Sequence, residues 1–181
     1  MRPSLIAPLV IAAALVAPAA HAALAVGAAA PDLTADAAVG GKTFSFKLAE
    51  ALKNGPVVLY FYPKSFTQGC TVEAHSFAEA TPHFKELGAS VIGISNDTIQ
   101  TQQKFSTEEC RNAFPVAADA GGKVMRAYDT VLAGHPELAD RISYLIAPDG
   151  HVASVYATMS PDGHVNAMMK ALEALQAAPK K

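Results

Sequence analysis

The sequence predicts an α/β fold, a buried sheet with helices on its faces, and three observations carry that prediction. An uninterrupted apolar run from Val57 to Tyr62, between Pro56 and Pro63, reads as a strand buried on both faces. A second such run spans Ser90 to Ser95, and each run leads into a stretch at helical spacing. The chain then closes with two apolar runs around the turn Pro148-Asp149-Gly150, an antiparallel hairpin, and an amphipathic helix. Strands alternating with helices put the sheet in the middle and the helices outside it.

Taken in order, the chain opens with Arg2, an apolar core from Leu5 to Val16 and the ending Ala20-His21-Ala22. That is the pattern of a secretory signal peptide over Met1 to Ala22, leaving residues 23–181 as a single domain. The apolar core is shorter than the roughly 20 residues of a spanning helix, and an uncleaved anchor is the alternative. Residues 23–32 are alanine-rich with Gly27 and Pro31, an extended lead-in. Leu33 to Phe46, with Gly40-Gly41 between short runs, predicts a small hairpin. A short helix from Lys47 to Lys53 is stopped by Asn54-Gly55-Pro56.

After the first buried strand, a helix from about Cys70 to Leu87 ends at Gly88, and Pro82 within it predicts a kink or a break. Asn96-Asp97 supply N-cap chemistry for a helix from about Thr98 to Glu109. Phe114 to Ala118 reads as a short strand and Lys123 to Tyr128 as a short helix, while Leu132 to Ala139, with Gly134 and Pro136, reads as a loop. Arg141 to Ala147 and His151 to Ala157 form the hairpin. Ser160-Pro161 open the last helix, which carries Val165, Met168, Met169, Leu172 and Leu175.

The charge balance, 14 Lys+Arg against 16 Asp+Glu in 181 residues, contains no basic excess to attract nucleic acid and no polybasic run to hold a membrane surface. It suits a small or uncharged substrate. Two cysteines remain, Cys70 and Cys110. In an exported chain they can form a structural disulfide, and a non-catalytic binding domain stapled by that bridge is one reading. The address of Cys70 supports another. It lies where a buried strand turns into a helix, and the unpaired N–H groups and positive dipole end of a helix's first turn favour an anionic, nucleophilic sulfur. Thr67 stands three residues earlier, within reach of a group at that sulfur, and Pro63 stiffens the loop entry.

Pro63-x-x-x-Thr67-x-x-Cys70 resembles the Pro-x-x-x-Thr-x-x-Cys signature of peroxiredoxins, and Tyr62-Pro63-Lys64 with Gly69-Cys70-Thr71-Val72-Glu73-Ala74 resembles the bacterioferritin comigratory protein (PrxQ) subfamily. The similarity runs from about Val26 to Glu173. It implies a thioredoxin-like fold, with a central mixed sheet flanked by helices and an N-terminal hairpin. It also implies a thiol peroxidase for hydrogen peroxide and organic hydroperoxides, with no cofactor, recycled by a thioredoxin-like reductant. By the same resemblance Cys70 attacks the peroxide, supported by Thr67 and by Arg141, which opens Arg-x-Ser-Tyr-Leu-Ile. Many relatives carry the resolving cysteine five residues after the attacking one, where this chain has His75. The subfamily's other arrangement points to Cys110, hence an intramolecular Cys70–Cys110 disulfide. The resemblance further implies a monomer, and with the signal peptide it implies a periplasmic location.

Rival chemistry finds less support. A thioredoxin-type disulfide oxidoreductase needs Cys-x-x-Cys, which is absent from the sequence. His75, His83, His135, His151 and His164 lack metal-ligand spacing, so no metal is expected. Glu73, one turn into the helix, is placed to tune the site, but a solvated helix-face residue is the preferred reading, and Met159, Met168 and Met169 read as hairpin-end and core residues.

Overall fold

A computed structural model describes residues 23–178, and the segment from Met1 to Ala22 read as a signal peptide lies outside the described residues. Among them, the elements run β1 (Thr34–Val39), β2 (Lys42–Lys47), α1 (Leu48–Leu52), β3 (Val57–Phe61), α2 (Gln68–Glu86), β4 (Ser90–Ser95), α3 (Ile99–Glu108), β5 (Val116–Ala118), α4 (Lys123–Ala127), β6 (Val131–Leu132), β7 (His135–Ala139), β8 (Ile142–Ile146), β9 (Val152–Ala157) and α5 (His164–Ala177).

A seven-stranded sheet in the order β2-β1-β5-β4-β3-β8-β9 forms the centre. It is mixed: β3 pairs parallel with β4, and β4 with β5, while β8 lies antiparallel to β3 and to β9. All five residues of β3 are buried because it is the sheet's inner strand and both its faces are covered. Its side chains alternate accordingly. Val57, Leu59 and Phe61 join a core with α1 and α4, including Leu48, Met125 and Tyr128. Val58 and Tyr60 face the opposite core, built on Ala74, Phe77 and Phe84 of α2, Phe105 of α3, and Met168 and Leu172 of α5. Both cysteines belong to this second core.

Four sequence expectations change. α2 begins at Gln68, two residues before Cys70, and runs through Pro82 as one helix. Pro82 is exposed and leaves the Ala78 carbonyl without its i+4 N–H, yet the helix does not break, and beside it the hydroxyl of Thr81 donates to the Phe77 carbonyl at 2.7 Å. Residues 132–139, expected as a loop, contain the hairpin β6–β7: Gly134 turns it at φ 80°, and Pro136 is accommodated in a two-stranded edge sheet. The cap of α3 is Thr98, whose hydroxyl accepts from the Thr101 N–H at 3.3 Å, rather than Asn96-Asp97. The last helix starts at His164 behind a left-handed Gly163, three residues later than Ser160-Pro161 suggested.

Candidate active site

The buried β3 delivers the chain to Pro63, and the loop 63–67 carries it into α2. That loop is tied down on the β4 side. The Ser65 N–H donates to Asp97 Oδ2 at 2.8 Å, which also receives the Ser95 hydroxyl at 2.7 Å. Behind them Gln102 of α3 accepts from the Tyr62 hydroxyl at 2.9 Å and donates to Ser95 Oγ at 2.8 Å. Phe66 is forced into the left-handed region at φ 65°, a strained state for a non-glycine residue, and its ring stands edge-on to Phe105 with centroids 5.2 Å apart.

Cys70 is the third residue of α2 and 1% exposed. Arg141, on the residue just before β8, crosses to it: Nη2 donates to Cys70 Sγ at 3.4 Å. Gly69 makes the approach possible, because a Cβ there would stand 3.1 Å from Arg141 Nη2. The rest of the guanidinium is held by protein acceptors. Nε donates to the Met159 carbonyl at 3.0 Å, and Nη1 donates to Glu73 Oε2. A first helical turn and a guanidinium thus converge on one sulfur, and both stabilise negative charge there.

Glu73 corrects the sequence reading. It is 0% exposed, because Cys70, Glu73, Ala74, Phe77, Ala78, Thr81 and Phe84 form one stripe at helical spacing that faces the sheet. Burial pushes its carboxyl up to about 8, against the pull of Arg141. Its second oxygen, Oε1, has no hydrogen-bond partner and lies 3.6 Å from Nδ1 of His164, itself fully buried. Sequence reasoning preferred a solvated face for Glu73 and weighed His164 only as a metal ligand, although the stripe in α2 was the signal that could have found Glu73.

The other expected site residues fall as follows. Pro63 is half-buried two residues past β3. Thr67 is the exposed N-cap of α2, but its hydroxyl donates to the Lys64 carbonyl at 2.9 Å and makes no cap bond. Cys110, two residues past α3, is fully buried, and both cysteines are free thiols. Burial, reinforced by the Glu109 carboxylate, pushes the Cys110 thiol up, which keeps it neutral while it stays inside. A hydrogen bond and an ion pair straddle it from α2: His75 Nε2 with Glu109 Oε2 at 2.7 Å, and Glu79 Oε1 with Arg111 Nη1 at 3.0 Å. Arg111 and Asn112 follow at φ 52° and 60°, two strained residues in sequence. No cluster of three or more metal-ligating side chains occurs among the described residues.

A buried thiol at a helix start, faced by a guanidinium on a sheet-and-helix scaffold, defines the class: a thiol-dependent peroxidase of thioredoxin-like fold. Comparison with known proteins gives the family. Residues 26–155 match the AhpC/TSA family, and the chain belongs to it. It is 32% identical over 123 residues to peroxiredoxin Bcp of Xanthomonas campestris pv. campestris, covering 65% of this chain and 76% of that protein. It is 33% identical over 125 residues to the chloroplastic peroxiredoxin Q of Sedum lineare, covering 68% of this chain and 67% of that one. The crystal structure of peroxidoxin BcpB from Mycobacterium tuberculosis superposes with a TM-score of 0.73 at 33% identity, over 86% of this chain and 98% of that chain. The protein is accordingly a peroxiredoxin of the Bcp/PrxQ kind, a peroxidase and an oxidoreductase.

Proposed function

We propose that Cys70 is the attacking thiol, that Arg141 stabilises the charge of the reaction, and that Cys110 resolves the product. The contact of Arg141 Nη2 with Cys70 Sγ at 3.4 Å, in the first turn of α2, is the observation that carries this reading. The Cys70 thiolate attacks one peroxide oxygen, a sulfur–oxygen bond forms and the O–O bond breaks. The departing oxygen leaves with the bonding pair and takes a proton from solvent, giving water or an alcohol and a Cys70 sulfenic acid. Arg141 and the free N–H groups of the helix start favour this step because their donors already face the place where negative charge moves. Thr67 and Pro63 shape the rim of the loop, the hydroxyl through its bond to Lys64. The near-complete burial of Cys70 favours hydrogen peroxide and small hydroperoxides over bulky ones.

The Cys110 thiol then displaces water from the sulfenic acid to form a Cys70–Cys110 disulfide, which needs local opening of the segment after α3, since that thiol is buried and neutral at rest. A thioredoxin-like dithiol reduces the disulfide and returns both thiols. We place the protein outside the cytoplasm, in a periplasm, as a monomer, on the strength of the signal-like segment Met1 to Ala22 and the subfamily likeness. The test is the mass of the peroxide-treated protein. An oxygen adduct on Cys70 in Cys110→Ser, and a disulfide in the wild type, support the reading; an untouched Cys70 overturns it.

A further inference from the structure

The groups that hold the Arg141 guanidinium converge on a side chain with no part in the chemistry above. His164, the first residue of α5, is 0% exposed. Its Nε2 lies 3.1 Å from the Thr158 carbonyl, which can only accept, so Nε2 carries the hydrogen. Nδ1 then accepts from the Ser143 hydroxyl at 2.8 Å. Ser143 lies two residues along from Arg141, on the same face of the chain. The Thr158 N–H donates to the Arg141 carbonyl at 3.2 Å, and the next carbonyl, that of Met159, receives Arg141 Nε. Glu73 Oε1 lies 3.6 Å from Nδ1 with no hydrogen bond between them, and its partner oxygen receives Arg141 Nη1.

The ring cannot easily be placed otherwise. Tyr156 stands edge-on to it with centroids 4.9 Å apart at 86°. That packing needs a glycine at 163, where φ is 91° and a Cβ would meet the Tyr156 hydroxyl at 2.6 Å. The ionisable groups facing His164 are Glu73 from α2, Arg141 at the start of β8 and Tyr156 from β9. Burial first, and the Arg141 charge after it, hold the imidazole below its ordinary value, which keeps it neutral and keeps both of its bonds in the sense described.

We propose that His164 is a positioning residue of the peroxidase reaction: through Thr158 and Ser143 it fixes the Thr158–Met159 turn and the strand next to it, which together aim Arg141 at Cys70. The proposal rests on Cys70 being the attacking thiol, and the test keeps the two apart. The second-order rate constant for oxidation by hydrogen peroxide is measured on folded wild type, Cys70→Ser, His164→Leu, His164→Gln and Ser143→Ala, alongside the rate at which dithiothreitol reduces each oxidised protein. His164→Leu is expected to slow oxidation about ten- to a hundredfold, the scale of a catalytic group displaced by about an ångström, with reduction unchanged. His164→Gln, whose amide can still donate towards Thr158, is expected to recover part of the loss. Oxidation at the wild-type rate in His164→Leu, with Cys70→Ser inactive, overturns this inference alone, as does an equal loss in both half-reactions. If His164→Leu does not fold, Ser143→Ala decides, since it removes only a hydroxyl: slower oxidation supports the proposal and the wild-type rate overturns it. Undiminished oxidation in Cys70→Ser overturns the assignment of Cys70 and this inference with it.

Discussion

Arg141 and Glu73 are joined by a fully enclosed hydrogen bond from Nη1 to Oε2, and the same guanidinium reaches Cys70 Sγ at 3.4 Å with its other terminal nitrogen. One planar cation therefore serves a structural and a reactive partner at once, which a fork of fixed geometry can do and a point charge cannot. The closeness of the fit makes the site sensitive to changes that leave the fold intact.

Gly69 provides the cleanest such change. In Gly69→Ala the new Cβ meets Arg141 Nη2 at 3.1 Å, so the guanidinium must yield by a few tenths of an ångström. Alanine in an ordinary helical position also raises helix stability by up to about 1 kcal/mol. The variant should melt at or above the wild-type temperature while reacting with hydrogen peroxide about tenfold more slowly, the scale of a small misplacement at a reacting centre. Thermal unfolding and stopped-flow fluorescence read the two quantities separately.

Glu73 sets a pH dependence of stability. Its folded value of about 8 lies above the unfolded value of 4.5, so between them the folded protein holds a proton that the unfolded chain has released. Stability contributed by this group is full below the unfolded value and falls as pH rises towards 8, by up to about 1.4 kcal/mol per pH unit. Glu73→Gln should flatten that part of the curve in urea unfolding followed from pH 5 to 8. A slope unchanged by the substitution would place the titration elsewhere.

Much of this arrangement is legible in the chain. The buried β3, the cysteine at the start of α2 and the closing hairpin announce themselves through local signals, namely apolar runs, a proline, and a turn triplet. Arg141 is found through the family resemblance of Arg-x-Ser-Tyr-Leu-Ile, which opens the hairpin. Glu73 is not, because a carboxylate on a helix reads as solvated until its cation is seen to arrive from 68 residues away. His164 escaped for the same reason: its partners lie on β8, on α2 and after β9, and no local spacing expresses that. The β6–β7 hairpin was hidden by Pro136, which sequence reasoning takes as a breaker and an edge strand tolerates.

Cys110 should govern turnover rather than the first reaction. Cys110→Ser is expected to be oxidised by the first equivalent of peroxide at the wild-type rate, to hold a sulfenic acid that dimedone traps, and to lose most activity with a thioredoxin-type reductant. Repeated turnover equal to wild type would show that Cys110 does not resolve.

The Glu79–Arg111 ion pair beside Cys110 should act as a clasp on that step. Glu79→Gln removes the partner of Arg111 without touching the strained backbone of residues 111 and 112. Exposed pairs of this kind are worth a few tenths to about 1 kcal/mol, so opening should become about two- to fivefold more favourable. Hydrogen exchange at residues 109–113 should quicken by that factor, and disulfide formation after the peroxide step should quicken with it.

The most direct measurement is the rate constant for oxidation by hydrogen peroxide in wild type, Cys70→Ser and Arg141→Lys, with the oxidised residue located by mass spectrometry. The account predicts an oxygen adduct or disulfide at Cys70 in the wild type, no reaction in Cys70→Ser, and a rate about a hundredfold lower or less still in Arg141→Lys, as when a preorganised donor is lost. Oxidation of Arg141→Lys at the wild-type rate, or of Cys70→Ser at all comparably, would contradict it.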